Sequence, residues 1–528
     1  MSRLKIITVL VLIVSSTYAK EYNVLDFGAK ADGKTVNTKA INKAVKACSE
    51  TGGIVVFPAG EYVTGTIYLK SNVTLYLQKG ATILGSTSMD DYPPNIPDYK
   101  FYRQGKILRA LIYAENCSNI GIQGEGLIDG RGDRILKQDG QPVKSYGERP
   151  HVIWMVKSKH IRVRDVSLRN SALWMEHYLA CEDILIHNID VYNHCNKNND
   201  MIDINGCKDV VISDCRGDSD DDGITLKSTH EMPCENILIN NCVISSHCNA
   251  IKCGTESNAG FKNIVVSNCV IRPSKDTVPT YGTKIGTSGI SLEVVDGAEM
   301  NGVSISNVVI QGTVVPLFIR LGNRARGYDK DKPNPETGSI QNITISNVTA
   351  YDTWNYTSSI VGIPGHNIKN VTLENIRIFS KGGGTEEQAK REVPELETEY
   401  PEAVMFDELP ASGFYVRHAE NITMKNVEFH FMENDKRPAL YLDDVIGMKI
   451  LNLSSEMDPS VPMIFGRDIK NVFVQNPLPD KNCKSVIELS GADSKNIRLT
   501  EIDKKYFEKI FDVTGGADKK DVKTGVVY

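Results

Sequence analysis

One short segment keeps returning along this 528-residue chain, and it constrains the fold more than any other feature. It runs Asn or Asp, a β-branched residue, any residue, an aliphatic, any residue, Asn or Asp, then an apolar residue. It reads "DILIHNIDV" from Asp183, "DVVISDCRG" from Asp209, "NILINNCVI" from Asn236 and "NIVVSNCVI" from Asn263. It returns from Gly302, Asn342, Asn370 and Asn421. The first four starts are 26, 27 and 27 residues apart, and the spacing widens to 39 or 40 where loops are inserted. Alternating apolar positions predict strands with one buried face, and β-branched residues suit that pleated surface. The second Asn or Asp marks a bend, where its side chain supports left-handed backbone. A short strand recurring at this period buries its face only by stacking on the next copy. The expected fold is all-β: a right-handed parallel β-helix. Leucine-rich repeats compete on period, but their leucine pattern is absent.

Cysteine follows the same clock. Cys215, Cys242 and Cys269 are 27 apart twice over, and Cys207 and Cys234 are also 27 apart. Equivalent positions in successive coils predict mostly free, stacked core thiols rather than paired partners. In "NTKAINKAVKACSETGG", Ile41, Ala44, Val45 and Cys48 fall at helical spacing and Gly52 follows as a stop. That helix is expected to cap the open end of the solenoid. Residues 1–19 read as a cleaved secretory signal, with Arg3 and Lys5 before an apolar Ile6 to Val14. Residues 20–480 are then the β-helix with its cap, and 481–528 a C-terminal cap or tail. The protein is expected to be secreted or periplasmic, without a membrane anchor. A formal charge of −6 and no basic stripe exclude nucleic acid as a partner. The charged stretch from Ser380 reads as a surface loop between coils.

The stretch "SDDDGITLKS", Ser219 to Ser228, is where chemistry concentrates. Asp218, Asp220 and Asp222 with Gly223 imitate the start of an EF-hand loop. The position of its bidentate Glu is Thr229, and the flanks are strand repeats, so that reading fails. One coil earlier, "NNDMIDING" has a similar shape. If Ile202 and Ile204 match Ile224 and Leu226, Asp200 lies under Asp222 with Asp221 beside it. Adjacent strands are about 4.8 Å apart, so the three carboxylates meet on the outer surface. Crowded carboxyls split their pKa values, as glycoside hydrolysis requires. An acid protonates the leaving oxygen, and a base activates water or a carboxylate attacks directly. Continuing the register, Ile251, Ile290 and Ile319 are the next inward positions. The residues after them form an outward column of Asp203, Thr225, Lys252, Ser291 and Arg320. Lys252 and Arg320, with Lys227 and Arg324 as further candidates, would hold substrate carboxylates.

These residues resemble family 28 glycoside hydrolases, the polygalacturonases of the pectin-lyase-like superfamily. "NND" from Asn198 is similar to their Asn-Thr-Asp motif, and "DDGITLKS" to their paired-Asp motif. The resemblance implies an inverting mechanism in which Asp221 is the acid and Asp200 with Asp222 activate water, with no cofactor or metal. Asn198 joins the substrate site on the same ground. Two motifs depart from the pattern. Where the family has Gly-His-Gly, only His247 remains, as "SHCNAI", in a supporting or a structural role. Where it has Arg-Ile-Lys, Ser291 and Glu293 stand in "GISLE". The departures point away from ordinary endo-cleavage, toward exo-action or a rhamnogalacturonan side chain. The substrate expected is a pectic polysaccharide or oligosaccharide. A calcium-dependent pectate lyase and a non-catalytic polysaccharide binder are the other readings.

Overall fold

The computed structural model describes residues 20–528, so the leader assigned to 1–19 lies outside the described residues. Among them, 41 strands form one continuous sheet wound into a parallel β-helix, with the right-handed sense that parallel crossovers take. Each coil contributes to three stacked strips. One carries Ile202–Asn205, Ile224–Ser228, Asn249–Ser257 and Ser288–Val294 in succession. A second carries Lys208–Ser213, Cys234–Asn240 and Gly260–Arg272. The third carries Arg216–Ser219 and Val243–Ser246 before it merges into Gly260–Arg272.

The repeat explains this construction residue by residue. Its aliphatic positions, such as Val210, Ile212, Ile237, Ile239, Ile264 and Val266, are buried in the solenoid core. Both of its Asn positions take left-handed backbone, with φ of 55° at Asn263 and 56° at Asn268. Asn tolerates that region because its short polar side chain bonds locally. The amides then stack into ladders: Asn263 Nδ2 donates to Asn236 Oδ1 at 3.0 Å, and Asn347 Nδ2 to Asn307 Oδ1 at 3.1 Å. The Asn-x-Thr triplets at Asn342, Asn370 and Asn421 belong to this ladder.

The capping helix spans Thr38–Thr51 and buries Ile41, Ala44, Val45 and Cys48 against the first coil. The N–H of Gly52 closes it on the Cys48 carbonyl at 2.8 Å. All twelve cysteines are free. The chain beyond Asn482 is more regular than its sequence suggests: Cys483–Ser490 pairs with Pro462–Arg467 on one side and Phe507–Val513 on the other. The coils therefore continue almost to the last residue. Another difference concerns the stretch after Ser380. It does not lie idle on the surface, because Val393, Ala403, Phe406 and Leu409 pack with Val315 and Phe318 into a second apolar cluster.

Gly223 shows how tightly the acidic turn is built. A Cβ there would sit 2.4 Å from the Ala250 carbonyl oxygen and 2.6 Å from Ile244 Cγ2. Gly223→Ala is expected to cost about 1–3 kcal/mol through overpacking. It should lower the thermal midpoint and activity together. An unchanged midpoint would show that the turn has slack.

Candidate active site

The register that builds the site is the one read from the isoleucines. Ile202 pairs with Ile224 and Ile204 with Leu226. Ile224 pairs with Ile251, and Ile251 with Ile290. A one-residue slip would turn every side chain to the opposite face, so the apolar set holds the register firmly. The N–H of Met201 donates to the Asp222 carbonyl at 2.9 Å, which joins the two acidic turns. Asp200, Asp221 and Asp222 accordingly line one cavity of about 190 Å³. Asn198 enters it from the same turn as Asp200. Its amide donates to Asp221 Oδ2 at 3.2 Å, while Arg149 Nη2 donates to Asn198 Oδ1 at 3.1 Å and fixes the amide's orientation.

Two buried lysines answer the carboxylates. Lys227 Nζ lies 3.3 Å from Asp200 Oδ2 and 2.9 Å from Asp203 Oδ1. Its ammonium also stands 5.0 Å from the centre of the Trp174 ring. Lys252 Nζ lies 3.2 Å from Asp222 Oδ2. Burial still dominates the titration. It pushes Asp221 up to about 7, helped by the charge of Asp222. Asp200 is raised well above the carboxylate range by burial and then by Asp203 and Asp221. The cluster therefore keeps a proton near neutral pH, and that proton belongs to the group rather than to one oxygen.

The remaining candidates fall elsewhere. The column reads Asp203, Thr225, Lys252, Ser291 and then Phe318, not Arg320, because Ser291 pairs with Phe318 and Glu293 with Arg320. Arg320 is buried, its guanidinium spent on the carbonyls of Gly362, Glu395 and Leu396 and packed against Phe406. It braces the loop after Ser380 and does not line the cavity. Arg324 pairs with Asp296 at 2.6 Å and donates to Thr255 Oγ1, so it stiffens the cavity wall. His247 is fully buried behind the acidic turn, 3.1 Å from Asp220 Oδ1, and does not line the cavity. Ser291 donates to Glu293 Oε1 at 2.6 Å, and burial pushes Glu293 up to about 8.

Several residues of the cavity carried no signal in the repeat. Arg103 and Tyr146 arrive from loops before the acidic coils, and Tyr400 and Glu402 from the stretch after Ser380. Tyr281 comes from the insert around 271–289, which interrupts the period and so marks a loop of interest. Arg103 pairs with Glu256 at 2.9 Å, and its guanidinium lies 4.8 Å from the Tyr146 ring centre. These loops turn an open groove into a pocket.

A proton-retaining carboxyl cluster inside such a pocket is the equipment of a glycoside hydrolase. Residues 48–398 match Glycosyl hydrolases family 28, and the chain belongs to that family. It is 33% identical over 223 residues to a probable polygalacturonase of Vitis vinifera, covering 40% of this chain and 45% of that protein. It is 28% identical over 253 residues to an exo-poly-alpha-D-galacturonosidase of Dickeya chrysanthemi, covering 39% and 42%. The chain thus spans under half the length of these two relatives. Among solved structures, a hyperthermoactive exopolygalacturonase of Thermotoga maritima aligns with a TM-score of 0.59 at 22% identity, over 78% of this chain and 92% of that one. At that identity the likeness is one of fold.

Proposed function

We propose that the protein hydrolyses galacturonic-acid-containing pectic oligosaccharide or polysaccharide from a chain end, with inversion, after export from the cytoplasm. The observation that carries this reading is the convergence of Asp200, Asp221 and Asp222, from two adjacent coils, in one loop-walled cavity. In the proposed reaction Asp221 gives its proton to the glycosidic oxygen as the bond breaks. Asp200 and Asp222 orient a water on the opposite face of the sugar and accept its proton. Lys227 and Lys252 hold those two carboxylates in place, and with Arg103 they are the cations lining the cavity that would receive a substrate carboxylate. The small enclosed volume supports removal of terminal residues rather than cleavage within a long chain, as does the likeness to the Dickeya exo-poly-alpha-D-galacturonosidase.

Incubation with defined oligogalacturonides and rhamnogalacturonan oligosaccharides tests this. A released monosaccharide or short terminal unit is expected, appearing first as the inverted anomer in proton NMR. Random internal cleavage would overturn the exo assignment, and an unsaturated product absorbing in the ultraviolet would replace hydrolysis with elimination. The loop's part is tested through Tyr400, a residue 51% exposed that lies outside the apolar cluster anchoring the loop. Tyr400→Ala is expected to raise KM several-fold with an unchanged thermal midpoint. An unchanged KM would remove the loop from substrate binding.

A further inference from the structure

Behind the acidic turn lies a second cluster that the proposed reaction does not use. His194, Asp220 and His247 are 26 and 27 residues apart, the spacing of successive coils. The strands just before them pair Asn193 with Ser219 and Ser219 with Ser246, so the three residues follow equivalent positions on three neighbouring coils. Their side chains are at most 3% exposed. One donor atom from each lies within 4.8 Å of the others.

The hydrogen bonds determine which ring nitrogens carry protons. His194 Nε2 lies 2.8 Å from Asp218 Oδ1, whose partner oxygen accepts the N–H of Lys275. That nitrogen donates. His247 Nε2 lies 3.0 Å from the Asp276 carbonyl, which can only accept, so it donates too. Both Nδ1 atoms are then left facing Asp220. His194 Nδ1 and Asp220 Oδ2 are buried without any hydrogen-bond partner. Asp220 Oδ1 takes the Thr280 N–H at 2.7 Å and stands 3.1 Å from His247 Nδ1. A neutral ring nitrogen against a carboxylate oxygen is lone pair against lone pair, so a cation is required between them. A proton on His247 answers only that contact. A second proton, on His194 Nδ1, would face Asp220 Oδ1 at 3.9 Å, beyond hydrogen-bond reach.

We infer that His194 Nδ1, His247 Nδ1 and the Asp220 carboxylate form a binding site for a divalent transition-metal ion of the zinc type. Two imidazoles and a carboxylate are a donor set that zinc favours, with water completing the shell. The outer partners fit as well. Ligating histidines characteristically donate their other N–H to a carboxylate or a backbone carbonyl, the parts played by Asp218 and Asp276. The ion clamps three coils at the turn that presents Asp221 and Asp222. It takes no part in bond breaking, and Asp220 acts as a positioning residue through it.

The test is metal content of the whole chain by mass spectrometry after incubation with Zn²⁺, Co²⁺ or Ni²⁺ and dialysis. About one ion per chain is expected, as for a single closed site. Zn²⁺ should raise the thermal midpoint, because only the folded chain offers the site. The Co²⁺ form should show visible d–d bands of nitrogen and oxygen ligation. His194→Ala and His247→Ala, checked for fold by circular dichroism, should each lose the ion and the thermal shift. Absence of uptake by the unaltered chain would overturn the inference, leaving a protonated histidine pair. So would uptake that persists in both folded variants, which would place the ion on the thiols.

Discussion

Asp221→Asn is expected to lower kcat on a pectic oligosaccharide by about 10²- to 10⁴-fold, the usual weight of a general acid. The amide has the shape of the carboxyl and still accepts the Asp222 N–H, which lies 3.0 Å from Asp221 Oδ1. Its new Nδ2 meets the Asn198 amide, which donates to Asp221 Oδ2 at 3.2 Å, so stability falls modestly while KM changes little, and what disappears is a proton to give. A substrate with a good leaving group, such as an aryl galacturonide, needs no such proton. It should recover most of its rate with Asp221→Asn and little with Asp200→Asn, which impairs water activation instead. Turnover of the natural linkage within tenfold of the unaltered protein would remove Asp221 from the acid role.

Lys227→Met is the second large effect, and it falls on stability. Lys227 is the only cation within ion-pair distance of Asp200 and Asp203 among the described residues. Burial, helped by the charge of Asp222, pushes Asp203 up to about 6 even with the lysine beside it. Removing one partner of a buried ion pair costs about 3–5 kcal/mol, because the other charge stays buried without compensation. The thermal midpoint should fall sharply at neutral pH. Asp203→Asn combined with Lys227→Met should recover part of the loss, since one of the two stranded charges is gone. A midpoint unmoved by Lys227→Met would mean that water already solvates the pair. Activity should fall in the single variant as well, because Lys227 lowers the proton affinity of Asp200, and without it the shared proton shifts toward Asp200 and away from Asp221.

Much of the site was legible because a strand repeat carries its own ruler. The recurring Asn-aliphatic segment set the coil length. Ile202, Ile224, Ile251 and Ile290 then set which coils face which, and Asp200, Asp221 and Asp222 followed. Arg320 was misplaced for a related reason. Ile290 and Leu292 face Leu317 and Ile319, and all four are buried. A shift of two residues keeps every apolar side chain inside, so alternation alone does not distinguish the true register from its neighbour. The strand pairing seats Phe318 in the column and carries Arg320 under the loop instead.

The His194–Asp220–His247 cluster was present in the spacing, yet nothing in the letters says which way a turn residue points. The loops were least visible. Arg103, Tyr146, Tyr400 and Glu402 have no period. Phe406 and Leu409 anchor the segment of Tyr400 and Glu402 on another coil, while Phe101, Ile107 and Tyr146 itself pack the loops of Arg103 and Tyr146 against Trp154 and Trp174. By itself, then, the sequence determined the solenoid, its coil length and the meeting of three aspartates, because these follow from local periodicity. The tertiary structure alone decided the pocket and the surroundings of each charge, because those depend on contacts between coils and loops that the period does not relate, such as Arg103 with Glu256, 153 residues apart.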